Sequence, residues 1–166
     1  MSERLKWCLS FTFMGLFMAF VLPLESATLR AFVGDTQAPD TRFFYNAATL
    51  MSIAEAFGEA GRRAYVLGRL RFDIVWPIVY GSFGYFSLKP WVRGRFRPFV
   101  LALPWLAVAF DLCENSMVSW VFFRYPQASV FASVAGVMTV LKWVTLTTAL
   151  SLIPILSLQT LITRRR

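Results

Sequence analysis

PFVLALPWLAVAFDLCENSMVSWVFF occupies residues 98–123, and its reading decides the fold. As a helix this run is about 39 Å long at 1.5 Å per residue, more than the ~30 Å hydrocarbon core of a bilayer. Yet it carries Asp111, Glu114 and Asn115 near its middle. An ionisable group at mid-membrane costs roughly 2.5–3.5 kcal/mol on insertion scales unless it finds a partner or water. Asp111, Glu114, Asn115, Val118 and Ser119 follow i, i+3, i+4, i+7 and i+8 and share one helical stripe, while Phe110, Cys113, Met117 and Trp120 point elsewhere. The stripe therefore faces protein or water rather than lipid.

Three further apolar runs flank this one, at about 7–24, 72–88 and 128–158. Of the 166 residues, 57% are hydrophobic and only 16% are charged, which places the chain in a bilayer rather than among soluble domains. The expected fold is all-α: a single membrane domain over residues 1–166, a four-helix transmembrane bundle with an extracytoplasmic amphipathic helix between spans one and two. The first run also has the basic and apolar parts of a signal peptide. Glu25-Ser26-Ala27 is a poor cleavage site, however, so the helix is read as retained.

Basic residues set the orientation. Arg4 and Lys6 precede span one, Lys89, Arg93, Arg95 and Arg97 fill the link between spans two and three, and Arg164, Arg165 and Arg166 close the chain. With four spans these lie on one side, so both termini are expected in the cytoplasm of a multi-pass protein of the cell membrane. The formal charge of +8 is thereby assigned to topology and to headgroups of the lipid bilayer, and no nucleic-acid partner is implied.

The outer segment, 25–71, holds an irregular stretch from Gly34 to Asp40. After it, Leu50, Ile53, Ala54 and Phe57 recur at helical intervals opposite Glu55, Glu59 and Arg62, and Ser52 with Glu55 has capping-box spacing. Glu59 is spaced to pair with Arg62 or Arg63. Arg62, Arg63, Arg69 and Arg71 are candidates for headgroup or phosphate contact. Helix two is expected to begin near or before Asp73 and to kink at Pro77. Asp73 is expected to cap it, pair with an arginine or join the buried cluster, and Pro77, Tyr80, Gly81, Gly84 and Leu88 share one face.

Lys142 lies about fourteen residues into the last run, at the depth of Asp111, so an ion pair with Asp111 or Glu114 is the simplest outcome. Two carboxylates beside one lysine resist simultaneous ionisation. Three functions fit such a cluster. The favoured one is a site for a small lipophilic or amphiphilic ligand, formed by Asp111, Glu114, Asn115, Lys142 and Asp73, with Trp76, Tyr80 and Trp143 as aromatic walls. The second is an accessory or scaffold subunit bound to a membrane-protein partner, with the cluster only clasping helices together. The third is a proton-linked carrier, disfavoured because only apolar residues and prolines lie between Arg97 and Asp111. No catalytic residue is assigned, and no metal or cofactor is implied. The chain has no histidine, which removes histidine-based triads and the usual zinc and haem sites. Cys8 and Cys113 form no C-x-x-C, and no glycine-rich phosphate loop follows a strand.

The motifs Phe110-Asp111-Leu112-Cys113-Glu114-Asn115, Tyr125-Pro126, Leu141-Lys142-Trp143, Gly61-Arg62-Arg63-x-Tyr65 and Asp73-x-x-x-Pro77 give a resemblance. Over about residues 57–145 the chain resembles a group of small uncharacterised bacterial four-span membrane proteins. The resemblance implies a helical bundle of the bacterial inner membrane and no activity.

Overall fold

The computed structural model describes residues 2–34 and 36–164, without the side chains of Leu161 and Arg164. Asp35 of the irregular stretch and the terminal Arg165 and Arg166 lie outside the described residues. Helices α1 (Glu3–Leu16) and α2 (Leu22–Val33) join through one wide π turn, Phe17–Val21, into a rod. Pro23 leaves the carbonyl of Ala19 without its helical partner, and Ala19 sits inside that wider turn, where the ladder is already relaxed. A 3₁₀ turn at Pro39–Thr41 follows, then α3 (Ala47–Arg71), α4 (Val75–Leu88), α5 (Arg97–Arg124) and α6 (Phe131–Arg164).

Three helical segments are long and apolar enough to cross a membrane: Glu3–Val33, Arg97–Arg124 and Phe131–Thr160. The fourth, α4, has 14 residues and is about 21 Å long. Large apolar side chains such as Phe11, Phe20, Phe99, Phe123, Val137 and Leu158 point outward. A soluble monomer rarely exposes so wide an apolar surface, whereas a chain solvated by lipid does so at no cost.

Several boundaries differ from the sequence expectation, each for a local reason. The first helix does not stop at Leu24: Ser26, Ala27 and Leu29 extend it, and it ends only at Gly34, whose φ of +59° suits a residue without a Cβ. Helix α3 begins at Ala47, because the Asn46 side chain accepts from the Thr49 amide at 2.8 Å, so Asn46 is the cap and Ser52 is interior. Helix α4 begins at Val75. Pro77 consequently sits in its first turn, where a missing amide costs nothing, and it shapes the start of the helix rather than kinking it. Leu50, Ile53, Ala54 and Phe57 form the buried face of α3 as their spacing requires. The helix breaks at Gly58 (φ +61°, ψ −179°), and the Arg62 guanidinium donates to the stranded Ala54 carbonyl at 2.8 Å.

Helices α5 and α6 form the central antiparallel pair, and α4 packs across α5. Pro77, Tyr80, Gly81, Gly84 and Leu88 are the buried face of α4. A Cβ on Gly84 would lie 3.2 Å from Pro104, so the small residue sets the approach of the two helices. At one end of the bundle Glu3 pairs with Lys89 at 2.7 Å, and the Trp7 indole donates to Ser87 at 3.1 Å. Leu88 and Val92 cluster there with Val100 and Leu156. The start of α1, the end of α4, the start of α5 and the final turns of α6 thus share that end.

The segment 36–46 buries Pro39 and Tyr45 while Phe43 and Phe44 stay exposed. It enters the bundle: the Trp143 indole donates to the Arg42 carbonyl at 2.9 Å, and Lys142 donates to the Asp40 carbonyl at 3.3 Å. Buried non-helical backbone needs partners for its polar groups, and these two side chains of α6 supply them. Gly136 admits the segment, because a Cβ there would overlap the Tyr45 carbonyl. Gly136→Ala is expected to destabilise the protein by about 1–3 kcal/mol, as overpacking does. A thermal melt in detergent checks this, with Gly15→Ala, whose Cβ would meet nothing within 4 Å, as the control.

Candidate functional site

The site is built from four pieces of chain. The α5 stripe is buried as its periodicity requires, with Asp111, Glu114, Asn115 and Val118 all facing inward. Helix α6 brings Lys142 to it. Lys142 Nζ stands 2.6 Å from Glu114 Oε2 and 3.4 Å from Asp111 Oδ1, so one lysine joins both carboxylates. Helix α4 adds Tyr80, which donates to Asp111 Oδ2 at 2.9 Å. The inserted segment adds Tyr45, which donates to Glu114 Oε1 at 3.0 Å. Burial, with the Glu114 carboxylate beside it, pushes the Tyr45 hydroxyl well above the usual phenol range, so it stays a donor.

A second cation extends this cluster. Arg69 of α3 forks onto Asp40 through Nη1 (3.2 Å) and Nη2 (3.1 Å), and it pairs with Asp73 in the turn between α3 and α4. Its guanidinium stacks 4.2 Å over the Tyr65 ring. Asp73 therefore both pairs with an arginine and joins the buried cluster. Asp40 bridges the two groups, its carboxylate on Arg69 and its carbonyl on Lys142.

Between these groups lies a cavity of about 470 Å³, within the range of small-molecule sites. Asp40, Asp73, Asp111, Asn115, Arg69 and Lys142 form its polar wall, and Trp76, Tyr80, Trp143, Leu29 and Leu146 are among its apolar lining. Glu114 is absent from that lining and is 0% exposed; its oxygens meet Lys142 and Tyr45. The stripe thus splits into two roles. Glu114 ties helices and inserted segment together, whereas Asp111, held by Tyr80, Lys142 and Asn115, and Asn115 itself lie on the cavity wall.

No family model, curated protein or solved structure matches this chain. Its chemistry rests on its own geometry.

The four candidate arginines do not converge. Arg62 repairs the α3 break and stacks 4.4 Å over Tyr125, and Arg69 is in the buried cluster. Arg63, paired with Glu59 at 2.7 Å, and Arg71 lie on the exposed edge of a groove between α2 and α3. Asp40, Tyr45 and Glu25 belong to the site or its margin without having been singled out from sequence. Of the run Phe43-Phe44-Tyr45 only Tyr45 is buried, and no periodicity in the sequence sets it apart.

Proposed function

We propose that this is a multi-pass protein of the cell membrane with four spans and cytoplasmic termini, whose internal cavity binds a small lipophilic or amphiphilic molecule. In this reading α4 is the fourth span, lengthened by the end of α3: Leu67, Leu70, Ile74, Val75 and Ile78 carry its exposed apolar surface backward. The end of α3 from Leu67 and the 72–74 turn would then supply the apolar length that α4, at about 21 Å, lacks. The end holding Glu3 and Lys89 also holds Arg4, Lys6, Arg93, Arg95 and Arg97, which supports its cytoplasmic placement.

The observation that carries the binding reading is the cavity beside the α5 stripe, which Asp111 and Asn115 line and Glu114 does not. A clasp needs no cavity beside it, yet Asp111 and Asn115 line one of ligand size, and Asn115 Oδ1 has no donor among the described residues. Glu114 by itself favours the second reading, an accessory subunit held together by its ion pairs. Native mass spectrometry of wild type, Asp111→Asn and Glu114→Gln, with melting temperature taken on the same samples, separates the two. We expect a small molecule retained by wild type and lost from Asp111→Asn while that variant melts within a few degrees of wild type. Glu114→Gln is expected to melt early. If nothing is retained and Asp111→Asn melts as early as Glu114→Gln, the cluster is only a clasp.

A further inference from the structure

The chemistry left unspent around the cavity specifies a head group. Its wall carries four carboxylates, Glu25, Asp40, Asp73 and Asp111, against two cations, Arg69 and Lys142. Both cations are already shared: Arg69 by Asp40 and Asp73, Lys142 by Asp111 and Glu114. Glu25 takes part in none of the ion pairs among the described residues.

Independently of these charges, Asn115 Oδ1 is buried with no hydrogen-bond donor, on a residue only 6% exposed. The amide orientation follows from its neighbour, since Nδ2 donates to Asp111 Oδ1 at 3.3 Å and leaves the oxygen as the unspent atom. A buried acceptor without a donor is costly. The unused capacity is thus acceptor capacity in a place with more carboxyl groups than cations. Arg69 Nε is also unpartnered, but an anion drawn to it meets Asp40 and Asp73 on the same guanidinium.

The route is marked by what two spaces share. A groove of about 750 Å³ runs between α2 and α3, lined by Leu24, Thr28, Phe32, Ala64 and Leu67 among others. Glu25, Leu29 and Arg69 line both this groove and the inner cavity. Gly68 makes room for the carboxylate: a Cβ there would lie 3.0 Å from Glu25 Oε1.

We propose, building on the binding reading above, that the ligand is an amphiphile with an ammonium head and an apolar tail, reaching the cavity from the lipid through the α2–α3 groove past Glu25. An ammonium offers three donors and no acceptor, the complement of a wall with four carboxyl groups, one of them, Glu25, unpaired among the described residues, and of Asn115 Oδ1. A carboxylate or phosphate head would add to the excess of acidic groups, and a hydroxyl would leave that excess unanswered. Leu22, Leu29, Met14 and Leu146 accept the tail.

The test uses the full chain in phosphatidylcholine nanodiscs at neutral pH. Tryptophan quenching is followed with ω-bromododecylamine, ω-bromododecanol and ω-bromododecanoic acid, since Trp76 and Trp143 line the cavity. The amine is expected to quench saturably, and the alcohol and acid only in proportion to their membrane concentration. Glu25→Gln is expected to weaken the saturable phase about tenfold, or about 1.4 kcal/mol, at an unchanged melting temperature. Saturable quenching by the acid or alcohol equal to that by the amine would overturn the ammonium head while leaving a binding cavity. An amine that saturates equally well in Glu25→Gln would overturn the route past Glu25. Absence of saturation with all three probes would overturn the binding reading as well.

Discussion

Lys142→Met is expected to destabilise the folded protein by about 3–5 kcal/mol, the usual cost of breaking a buried ion pair from one side. For a chain of this size that is a fall in melting temperature of roughly 6–20 °C. Lys142 is the one cation within ion-pair distance of Glu114 and Asp111 among the described residues. Its removal leaves two carboxylates facing each other in a place that water does not freely reach. Methionine replaces the aliphatic stem well, so the loss isolates the charge rather than the packing. The triple variant Lys142→Met, Asp111→Asn, Glu114→Gln removes the stranded charges and keeps acceptors for Tyr45 and Tyr80. It is expected to recover most of the lost stability. Parallel melts of the single and triple variants check this. A single variant that melts with wild type would mean that the ion pairs do not hold the bundle.

The parts of this arrangement legible in sequence are those written in helical periodicity. Asp111, Glu114 and Asn115 share a face because they stand three and four residues apart on an uninterrupted helix, and the structure buries all three. Lys142 meets Asp111 at the depth that helical rise from the start of its run requires, because α5 and α6 are neighbours joined by a short link. The Tyr80 face of α4 was likewise readable from its small residues.

What escaped had no period to carry it. Segment 36–46 enters the bundle through particular long-range contacts: Arg42 with Trp143, Asp40 with Lys142 and Arg69, and Tyr45 with Glu114. An aspartate after a proline in a stretch with glycine reads as a solvated turn, and nothing local distinguishes it from a buried bridge. Gly136 is the counterpart of that insertion, but a glycine in an apolar helix is as often a packing contact with another helix. The apolar run ends at Leu24 because Glu25 and Ser26 interrupt it, but hydropathy does not mark a helix end. A carboxylate facing an internal cavity does not break the helix that bears it.

Arg69→Met is expected to have the second large effect, and it differs in kind, because Arg69 holds a segment rather than a helix pair. Its guanidinium is the cation between Asp40 on the inserted segment and Asp73 at the turn before α4. Taking it away strands both carboxylates and removes two forked donors, again about 3–5 kcal/mol. The segment has a cheaper escape than the helices do, since it can swing out to water with Asp40 and leave only Asp73 buried. The expected result is therefore local release before global melting. In a Cys8→Ser, Cys113→Ala background carrying Ala38→Cys, a membrane-impermeant maleimide should label the Arg69→Met protein at least about tenfold faster than its parent, the ratio for 1.4 kcal/mol of lost docking energy. Arg69→Lys keeps the charge but not the fork and should fall between the two. Asp40→Asn should label more slowly than Arg69→Met, since Arg69 still has Asp73 and no charge is stranded. Equal labelling in all four proteins would show that segment 36–46 does not dock through Arg69.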